Sequence, residues 1–500
     1  MMSVSAQLVE EYFASGTLTG LPDKHFIGGS WVAPAQGGKI PTFDPGTGRA
    51  FHDFAAGTAE DVAQAVAVAK SAQRDWGRAK ALDRGAILYR AAMLLRQEAA
   101  RFAVVESLDS GKPLQEAEGD VAGAARTFEY YAGAADKMQG DTFPLGADYL
   151  GYSINEPVGV TAHIIPWNFP ISTAARGIAP ALAAGCTAIA KPAETTPLTM
   201  LMLAELLHRA GLPAGVCNAV TGTGQAAGAP LVSHPDVRHV TFTGSVPTGT
   251  GVMQAVAPNV TSLVLELGGK SPLIVLGDAD LDQAVDGVIG AIYENAGQIC
   301  SAGSRLIVDR RVHGALVERV AERARGLQIG HGLHRAMLGP LNSDAHLAKV
   351  AGFVEDARSR GLSIATGGAT TTDPATGAGW FHEPTVIDAV PALDPIVQQE
   401  IFGPVLAVQV AEDEDHALDL ANGTEFGLVA GIYTRDFDAA HRMARDIDAG
   451  QIYINEYFAG GIEVPFGGNR KSGFGREKGL VALQSYTRVK SVAARIASHG

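Results

Sequence analysis

The chain has 500 residues, of which 46% are hydrophobic, and its formal net charge at pH 7 is −14. This hydrophobic content excludes an intrinsically disordered chain, and at roughly 100 to 200 residues per domain the length predicts two or three domains. Lysine and arginine are scattered along the chain rather than clustered. The charge pattern therefore excludes nucleic acid and acidic membrane surfaces as expected partners.

The N-terminal segment and the cysteines indicate the compartment. The first residues carry acidic side chains and no apolar core of signal-peptide length. The longest mostly apolar stretch, 177–190, contains Pro180 and is too short to span a bilayer. Three cysteines, an odd number, predict no disulfide framework. We therefore expect a cytoplasmic protein without a membrane partner, and we predict no metal site.

Two kinds of pattern divide the first half of the chain. Residues 59–138 have apolar side chains at helical spacing and predict a run of helices. Residues 140–156 interrupt this pattern with glycine, proline and aromatic residues, which predicts a hairpin arm. From Val158 onward short apolar strands alternate with helices, as is typical of a parallel, doubly wound sheet. The predicted strands are 158–167, 186–192, 216–220, 239–244 and 261–269.

A second alternation of strands and helices runs from Pro272 to about residue 465 and predicts a second α/β domain that begins just after Gly269. In sheets of this kind, ligands bind at the carboxyl ends of the strands. The ends of the first set of strands carry Trp167, Asn168, Lys191, Glu194, Gly244, Ser245 and Glu266.

The end of one strand has the features of a phosphate site. Gly244 lets the backbone come close to a ligand, and Ser245 opens a helix whose free N–H groups can meet a phosphate; the alternative is an ordinary serine N-cap. The glycine run 222–228 departs from the spacing of the dinucleotide fingerprint and is a weak indication. Glu194, three residues after Lys191, could bind a ribose diol and would repel a 2′-phosphate, which favours NAD over NADP; the alternative is a solvated loop charge.

Three residues are candidates for covalent chemistry. Cys300 follows a Gly-Gln-Ile turn, and a thiol attacks carbon well only as a thiolate; the alternative is inert packing. Glu266 ends an apolar strand, so desolvation should raise its pKa into the range of a general base, unless it pairs with Lys270. Asn168 offers an amide donor for an oxyanion; the alternative is a turn-forming asparagine.

These residues lie in motifs that are similar to those of the aldehyde dehydrogenase superfamily. The resemblance covers nearly the whole chain, and the motifs stand in the expected order. They are PWNFP (166–170), KPAE (191–194), FTGS (242–245), ELGGKSP (266–272), NAGQIC (295–300), EIFGP (400–404) and PFGGNRKSGFGRE (465–477).

The resemblance implies NAD(P)-dependent oxidation of a small-molecule aldehyde to the acid, with NAD as the expected cofactor and NADP possible. Cys300 would attack the aldehyde, Asn168 and the Cys300 N–H would hold the oxyanion, and Glu266 would activate the water that hydrolyses the thioester. Glu477 resembles a second carboxylate that relays a proton. Transfer of the acyl group to CoA is disfavoured because relatives that do so tend to lack the Glu266 base. A non-catalytic structural homologue is a remote alternative, because Cys300, Glu266, Asn168 and Glu400 are all present.

The resemblance also implies a cofactor site. Lys191 and Glu194 would hold the adenosine ribose, Ser245 the pyrophosphate, Glu400 the nicotinamide ribose, and Phe402 would lie near the nicotinamide. The full predicted set is Ile165, Pro166, Trp167, Lys191, Glu194, Gly224, Gly228, Phe242, Gly244, Ser245, Gly249, Leu267, Glu400 and Phe402.

The implied architecture has three parts. Residues 1–139 and 157–267 would form a doubly wound cofactor domain, and residues 268–468 a second α/β catalytic domain. Residues 140–156 and 485–500 would form a small β arm whose exposed edges pair with another subunit. We therefore expect a homodimer or homotetramer.

The substrate stays open at this point. Arg176, eight residues after Asn168, could pair with the carboxylate of an acid-bearing aldehyde such as a semialdehyde. The alternative is a structural pair with an internal acid, and Glu294 is a named candidate. Glu294 could instead attract an amino-aldehyde, and aromatic side chains could stack on an aryl group. The predicted pocket comprises Arg176, Glu294, Ser301, Tyr457, Phe458 and Phe466.

Overall fold

The computed structural model describes residues 3–496. Most strands of its large mixed sheet come from the first half of the chain. Within the described residues this sheet has eight strands, of which the five central ones run parallel to their neighbours in that group. Chain order reverses between the adjacent strands Val160–Ile165 and Val237–Thr243, and ligands bind at such a switch point. In spatial order the strands are Ser30–Val32, His25–Ile27, Cys217–Ala219, Thr187–Pro192, Val160–Ile165, Val237–Thr243, Ser262–Glu266 and Gly473–Phe474.

Helices cover both faces of this sheet. On the strand Thr187–Pro192, Ala188 and Ala190 belong to one buried hydrophobic cluster, whereas Ile189 belongs to another. Alternate residues of a strand face opposite sides of the sheet, so both sides of this strand are buried. A strand that is buried on both faces has a continuous apolar sequence rather than an alternating one. This confirms the doubly wound prediction.

The second sheet lies in the second half of the chain, and within the described residues it has seven strands. All its neighbouring strands are parallel except the edge pair Ser363–Thr366 and Thr385–Asp388. This confirms the second α/β unit. In spatial order the strands are Ser363–Thr366, Thr385–Asp388, Val405–Ala411, Arg305–Asp309, Pro272–Val275, Val429–Tyr433 and Gln451–Ile454.

The helices follow the predicted alternation, and the run predicted for 59–138 is confirmed up to residue 134. The α-helices are Val4–Ser15, Ala59–Arg78, Ala81–Gln97, Ala99–Ser110, Leu114–Ala134, Pro170–Ala184, Leu198–Arg209, Ala229–Val232, Val246–Val256, Leu281–Tyr293, His313–Arg325, Asp344–Ser359, Pro395–Gln398, Glu414–Asn422, Phe437–Asp446 and Ala482–Ser485. Two-stranded sheets pair Lys39–Asp44 with Arg49–Ala55, Thr370–Thr371 with Phe381–His382, and Phe426–Gly427 with Asn469–Arg470.

The predicted arm is a three-stranded antiparallel sheet. Tyr149–Pro157 forms a hairpin with Thr142–Phe143 and pairs along its whole length with Thr487–Arg495. Large apolar side chains on this sheet are exposed, among them Leu150 at 50% and Val489 at 70%. The arm therefore has an apolar face that the described residues leave uncovered.

The domain boundaries stay a prediction. The strand Gly473–Phe474 pairs with Ser262–Glu266, so the chain returns to the first sheet after the predicted boundary at residue 468. Residues 1, 2 and 497–500 of the predicted units lie outside the described residues. Between residues 3 and 496, no helix combines the length and apolarity needed to cross a bilayer.

Candidate active site

Cys300 lies where two cavities meet. A cleft of about 730 Å³ opens at the switch point of the first sheet, and a smaller pocket of about 190 Å³ opens toward the second sheet. Among the residues that line either cavity, Cys300 is the one that lines both. A molecule bonded to its sulfur can therefore be reached from the two sides.

A tight turn brings Cys300 to this position. The helix Leu281–Tyr293 ends, and Asn295, Ala296 and Gly297 all adopt left-handed backbone conformations, with φ between 47° and 72°. A Cβ at Gly297 would lie 2.2 Å from the Gly403 carbonyl oxygen, so only glycine fits. The turn reverses the chain and directs the cysteine toward the carboxyl edge of the first sheet.

Asn168 is fixed beside this turn. Its side-chain nitrogen donates to the Gln298 carbonyl at 2.9 Å, and Asn295 Nδ2 donates to the Asn168 carbonyl at 3.1 Å. An amide nitrogen carries two hydrogens, so one stays available for an oxygen in the cavity. The Asn168 side chain is therefore a hydrogen-bond donor in a fixed position, and its role is not limited to forming a turn.

Glu266 ends the strand Ser262–Glu266 as predicted, and it is buried. Burial raises the pKa of Glu266 well above its usual range, and the Glu477 carboxylate raises it further. Neither carboxyl oxygen of Glu266 has a hydrogen-bond partner among residues 3–496, and neither does Lys270 Nζ. The alternative pairing of Glu266 with Lys270 is therefore not formed, and the carboxyl group is left free to act on a proton.

The thiol of Cys300 is not spontaneously ionised. Burial raises the pKa of Cys300 to about 11, because the opposing effect of the Arg176 guanidinium is smaller and the carboxylates of Glu266 and Glu400 add to the rise. At neutral pH the sulfur therefore carries its proton. The site needs a base to remove that proton.

Arg176 has an internal partner, although not the one named from the sequence. Its Nη2 lies 2.8 Å from Glu477 Oε2, and both side chains are largely buried. Glu477 itself exchanges two backbone hydrogen bonds with Phe466, at 2.7 and 2.8 Å. The suggestion that Glu294 neutralises Arg176 is therefore wrong, because Glu477 takes that position.

The cleft contains the side chains predicted for a dinucleotide. Lys191 Nζ lies 3.7 Å from Glu194 Oε2, and the Lys191 side chain runs along Gly228. Ser245 is both the N-cap of Val246–Val256 and part of the cleft wall, so the two interpretations of this serine coincide. The weak glycine run also lines the cleft, as one turn of helix, Gly224–Gly228.

At the Cys300 end of the cleft, the Gly269 N–H donates to Glu400 Oε1 at 3.0 Å. A Cβ at Gly268 would lie only 2.2 Å from the Glu400 carboxylate, so this close approach needs glycine. Phe402 has a φ of 65°, which is rare for a bulky residue, and its ring packs edge-on against Trp167.

Comparison with known proteins agrees with this geometry. The model of the aldehyde dehydrogenase family matches residues 31–492. The betaine aldehyde dehydrogenase of Bacillus subtilis (strain 168) is 39% identical over 472 residues, which cover 93% of this chain and 96% of that protein. The chain belongs to the aldehyde dehydrogenase family.

Solved structures of relatives have the same fold. A putative aldehyde dehydrogenase from Burkholderia cenocepacia is 46% identical, with a TM-score of 0.92, over 95% of this chain and 100% of that one. The indole-3-acetaldehyde dehydrogenase of P. syringae, solved with NAD+ and IAA, is 36% identical, with a TM-score of 0.95, over 99% of this chain and 100% of that one. The chain is accordingly an oxidoreductase that acts on an aldehyde group.

Some predicted residues of this aldehyde dehydrogenase lie behind the cavity walls. Gly249 packs against Leu267, where a Cβ would come within 2.6 Å of the leucine side chain, and neither residue lines the cleft. Tyr457 is buried behind the smaller pocket, and its hydroxyl donates to the Ser301 carbonyl at 3.0 Å. Tyr457 therefore supports the pocket wall and does not offer its ring to a substrate.

The smaller pocket contains both predicted and unpredicted residues. The predicted lining residues Arg176, Glu294, Ser301, Phe458 and Phe466 are all present. The unpredicted ones come from distant segments and share no local pattern that could identify them. In the pocket they are Asp120, Phe169, Ser172, Gln451 and Lys478, and the cleft adds His346 and Lys349 among others. Ile299 and the wall residues Tyr453, Ala459, Gly460 and Gly461 lie in the pocket as the sequence suggested.

Proposed function

We propose that this protein oxidises an aldehyde to the carboxylic acid with NAD, through a covalent intermediate on Cys300. The observation that carries the proposal is the position of Cys300 between the large cleft and the smaller pocket. A substrate carbon bonded to sulfur there would face a cofactor on one side and keep its substituent on the other. Such positioning supplies much of the rate of a two-substrate reaction.

The residues of the cleft fit NAD. Two carboxylates, Glu194 and Glu400, suit the two ribose diols, and the Ser245 and Thr248 hydroxyls at the start of Val246–Val256 suit a diphosphate. Glu194 would repel the 2′-phosphate of NADP, so we expect NAD to be preferred. NAD supplies one function when bound, which is to accept a hydride from the substrate carbon.

In the first half-reaction, Glu266 takes the Cys300 proton and the sulfur adds to the aldehyde carbon. Asn168 Nδ2 and the Cys300 N–H donate to the oxygen as it becomes negative. When the hydride leaves that carbon, the C=O bond re-forms and a thioester remains on Cys300.

In the second half-reaction, Glu266 takes a proton from water, whose oxygen attacks the thioester carbon. The C–S bond then breaks, which releases the acid and restores the sulfur. Glu266 must pass on each proton that it receives. We assign this relay to Glu477, whose charge acts on Glu266 and whose position is held by Arg176.

Replacement of Cys300 tests the proposal. Cys300→Ala should lower kcat for NADH formation by about 10⁴-fold or more, since removal of a catalytic nucleophile leaves only binding and electrostatic contributions. Cys217→Ala is the matched control, because Cys217 is buried in an apolar cluster and lines neither cavity. Equal activity of the two variants would contradict the role of Cys300.

The class of aldehyde belongs to the proposal as well. Aromatic aldehydes are supported by the rings of Tyr453, Phe458 and Phe466 in the pocket, and amino-aldehydes by Glu294. Acid-bearing aldehydes need a cation that is not already paired, and Arg176 is paired with Glu477. Another cation in the pocket must therefore be considered for that class.

We also propose that the protein is a cytoplasmic homodimer or homotetramer. The exposed apolar residues of the three-stranded arm support the assembly, because a face of this kind is stable only when covered. Light scattering of the purified protein should give at least twice the chain mass of 51.9 kDa. A stable monomer would contradict the assembly and leave the proposed chemistry untouched.

A further inference from the structure

Lys478 has an unusual backbone conformation. Its φ is +60°, in the left-handed region that residues other than glycine rarely adopt. The backbone is anchored on both sides, by the paired hydrogen bonds between Glu477 and Phe466 and by a bond of 2.6 Å from the Gly479 N–H to the Ile462 carbonyl. These anchors hold Lys478 in the wall of the smaller pocket, which Cys300 also lines.

The ammonium group of Lys478 has no ionic partner. Two of the four charged side chains that line the pocket are paired, Arg176 with Glu477 and Asp120 with Lys112. Within residues 3–496, Lys478 Nζ is in neither an ion pair nor a hydrogen bond, and its charge lies 5.3 Å from the centre of the Phe466 ring.

An unpaired ammonium at this position is costly. Burial, together with the neighbouring Arg176, lowers the pKa of Lys478 to about 8, so most of the molecules still carry the charge at neutral pH. A carboxylate that enters the pocket would gain an ionic partner at Lys478 without displacing another group. At Arg176 the same carboxylate would have to displace Glu477 and leave a buried acid without a partner, which is unfavourable.

We propose that Lys478 selects aldehydes that carry a carboxylate, by pairing with it while the aldehyde carbon lies at Cys300. The inference rests on the proposed function and names its substrate class. Glu294 offers the opposite charge for a cationic aldehyde, but its side chain is exposed, and solvent screens exposed charges. Lys478 is only partly exposed, so the charge that it offers in the same pocket is screened less.

The test compares 4-oxobutanoate with its neutral methyl ester and with betaine aldehyde, using NAD and the full-length protein. In the wild type, kcat/KM should be highest for 4-oxobutanoate. In Lys478→Met, the ratio of kcat/KM for 4-oxobutanoate to that for the ester should fall by about 10- to 100-fold, as expected for loss of a charged hydrogen bond. Lys478→Arg, which keeps the charge, should retain most of the ratio.

Lys471→Met is the matched control, because Lys471 is exposed, pairs with Glu425 and lies seven residues before Lys478. It should leave the ratio unchanged. Binding of NAD to Lys478→Met should match the wild type, which reports that the variant is folded. An unchanged ratio in Lys478→Met, or a preference of the wild type for betaine aldehyde, would overturn the inference alone. Failure of the wild type to oxidise the three aldehydes while it oxidises benzaldehyde would also overturn the inference alone. Failure to oxidise any of the four would instead contradict the proposed function.

Discussion

At the scale of single residues, the proposed chemistry depends on how burial changes the acidity of a thiol and a carboxyl group. Burial keeps a proton on Cys300 and raises the pKa of Glu266. A carboxylate with an ordinary pKa would be a poor base for so weakly acidic a thiol. The raised pKa of Glu266 reduces the difference from the pKa of Cys300 and so favours the proton transfer. The cost is that Glu266 itself begins to bind a proton at a higher pH than usual.

The rate of acyl-enzyme formation should therefore depend on pH with a definite sign. Below the raised pKa of Glu266 the base is protonated, so the single-turnover rate of NADH formation should fall about tenfold for each pH unit of acidification. In Glu266→Gln the rate should follow ionisation of the thiol alone and keep rising toward its pKa of about 11. Stopped-flow absorbance between about pH 6 and about pH 9 measures both profiles. A flat profile for the wild type would contradict the role of Glu266.

At the scale of secondary structure elements, the strand ends bring the predicted residues together. Asn168, Lys191, Ser245 and Glu266 lie at or just after the carboxyl ends of parallel strands in one sheet, and these ends share an edge. A short apolar run that ends in a polar residue is a local signal, which is why the sequence could predict these positions.

The smaller pocket could not be predicted to the same extent. Asp120, Arg176, Tyr453 and Lys478 come from a helix, a second helix, a strand end and a loop, and only tertiary packing brings them together. The sequence could suggest that Arg176 meets a carboxylate, but not that the carboxylate belongs to Glu477. Ion pairs between distant segments have no local pattern.

One glycine at the junction of the two sheets gives a prediction at this scale. In Gly268→Ala, the new Cβ would displace the Glu400 carboxylate, which lies 2.2 Å from the position that the Cβ takes. The dissociation constant of NAD, measured by calorimetry, should rise by about tenfold, equivalent to about 1.4 kcal/mol. Gly290→Ala is the control, since a Cβ there meets no atom within 4 Å. Unchanged affinity in Gly268→Ala would contradict the assignment of Glu400 to the cofactor.

At the scale of the whole molecule, the two α/β units have separate parts in the proposed reaction. The first sheet supplies Asn168, Glu266 and the cleft wall. Cys300 instead lies between the helix Leu281–Tyr293 and Arg305–Asp309, which is the second strand of the second sheet in chain order. The active site therefore exists only where the two units meet. The strand Gly473–Phe474 ties the chain back to the first sheet beside Glu266 and carries Glu477 and Lys478 to the same place.

The most direct test of this account is the covalent state of Cys300 during turnover. Glu266→Gln should hydrolyse the thioester slowly, and in buffer of about pH 9 part of the thiol ionises without the base. Mixed with an aldehyde and NAD and then quenched, this variant should form about one NADH per active site. Mass spectrometry should then find the acyl group on the peptide that contains Cys300. NADH formed without an adduct, or an adduct on Cys186 or Cys217, would contradict the role of Cys300 as the nucleophile.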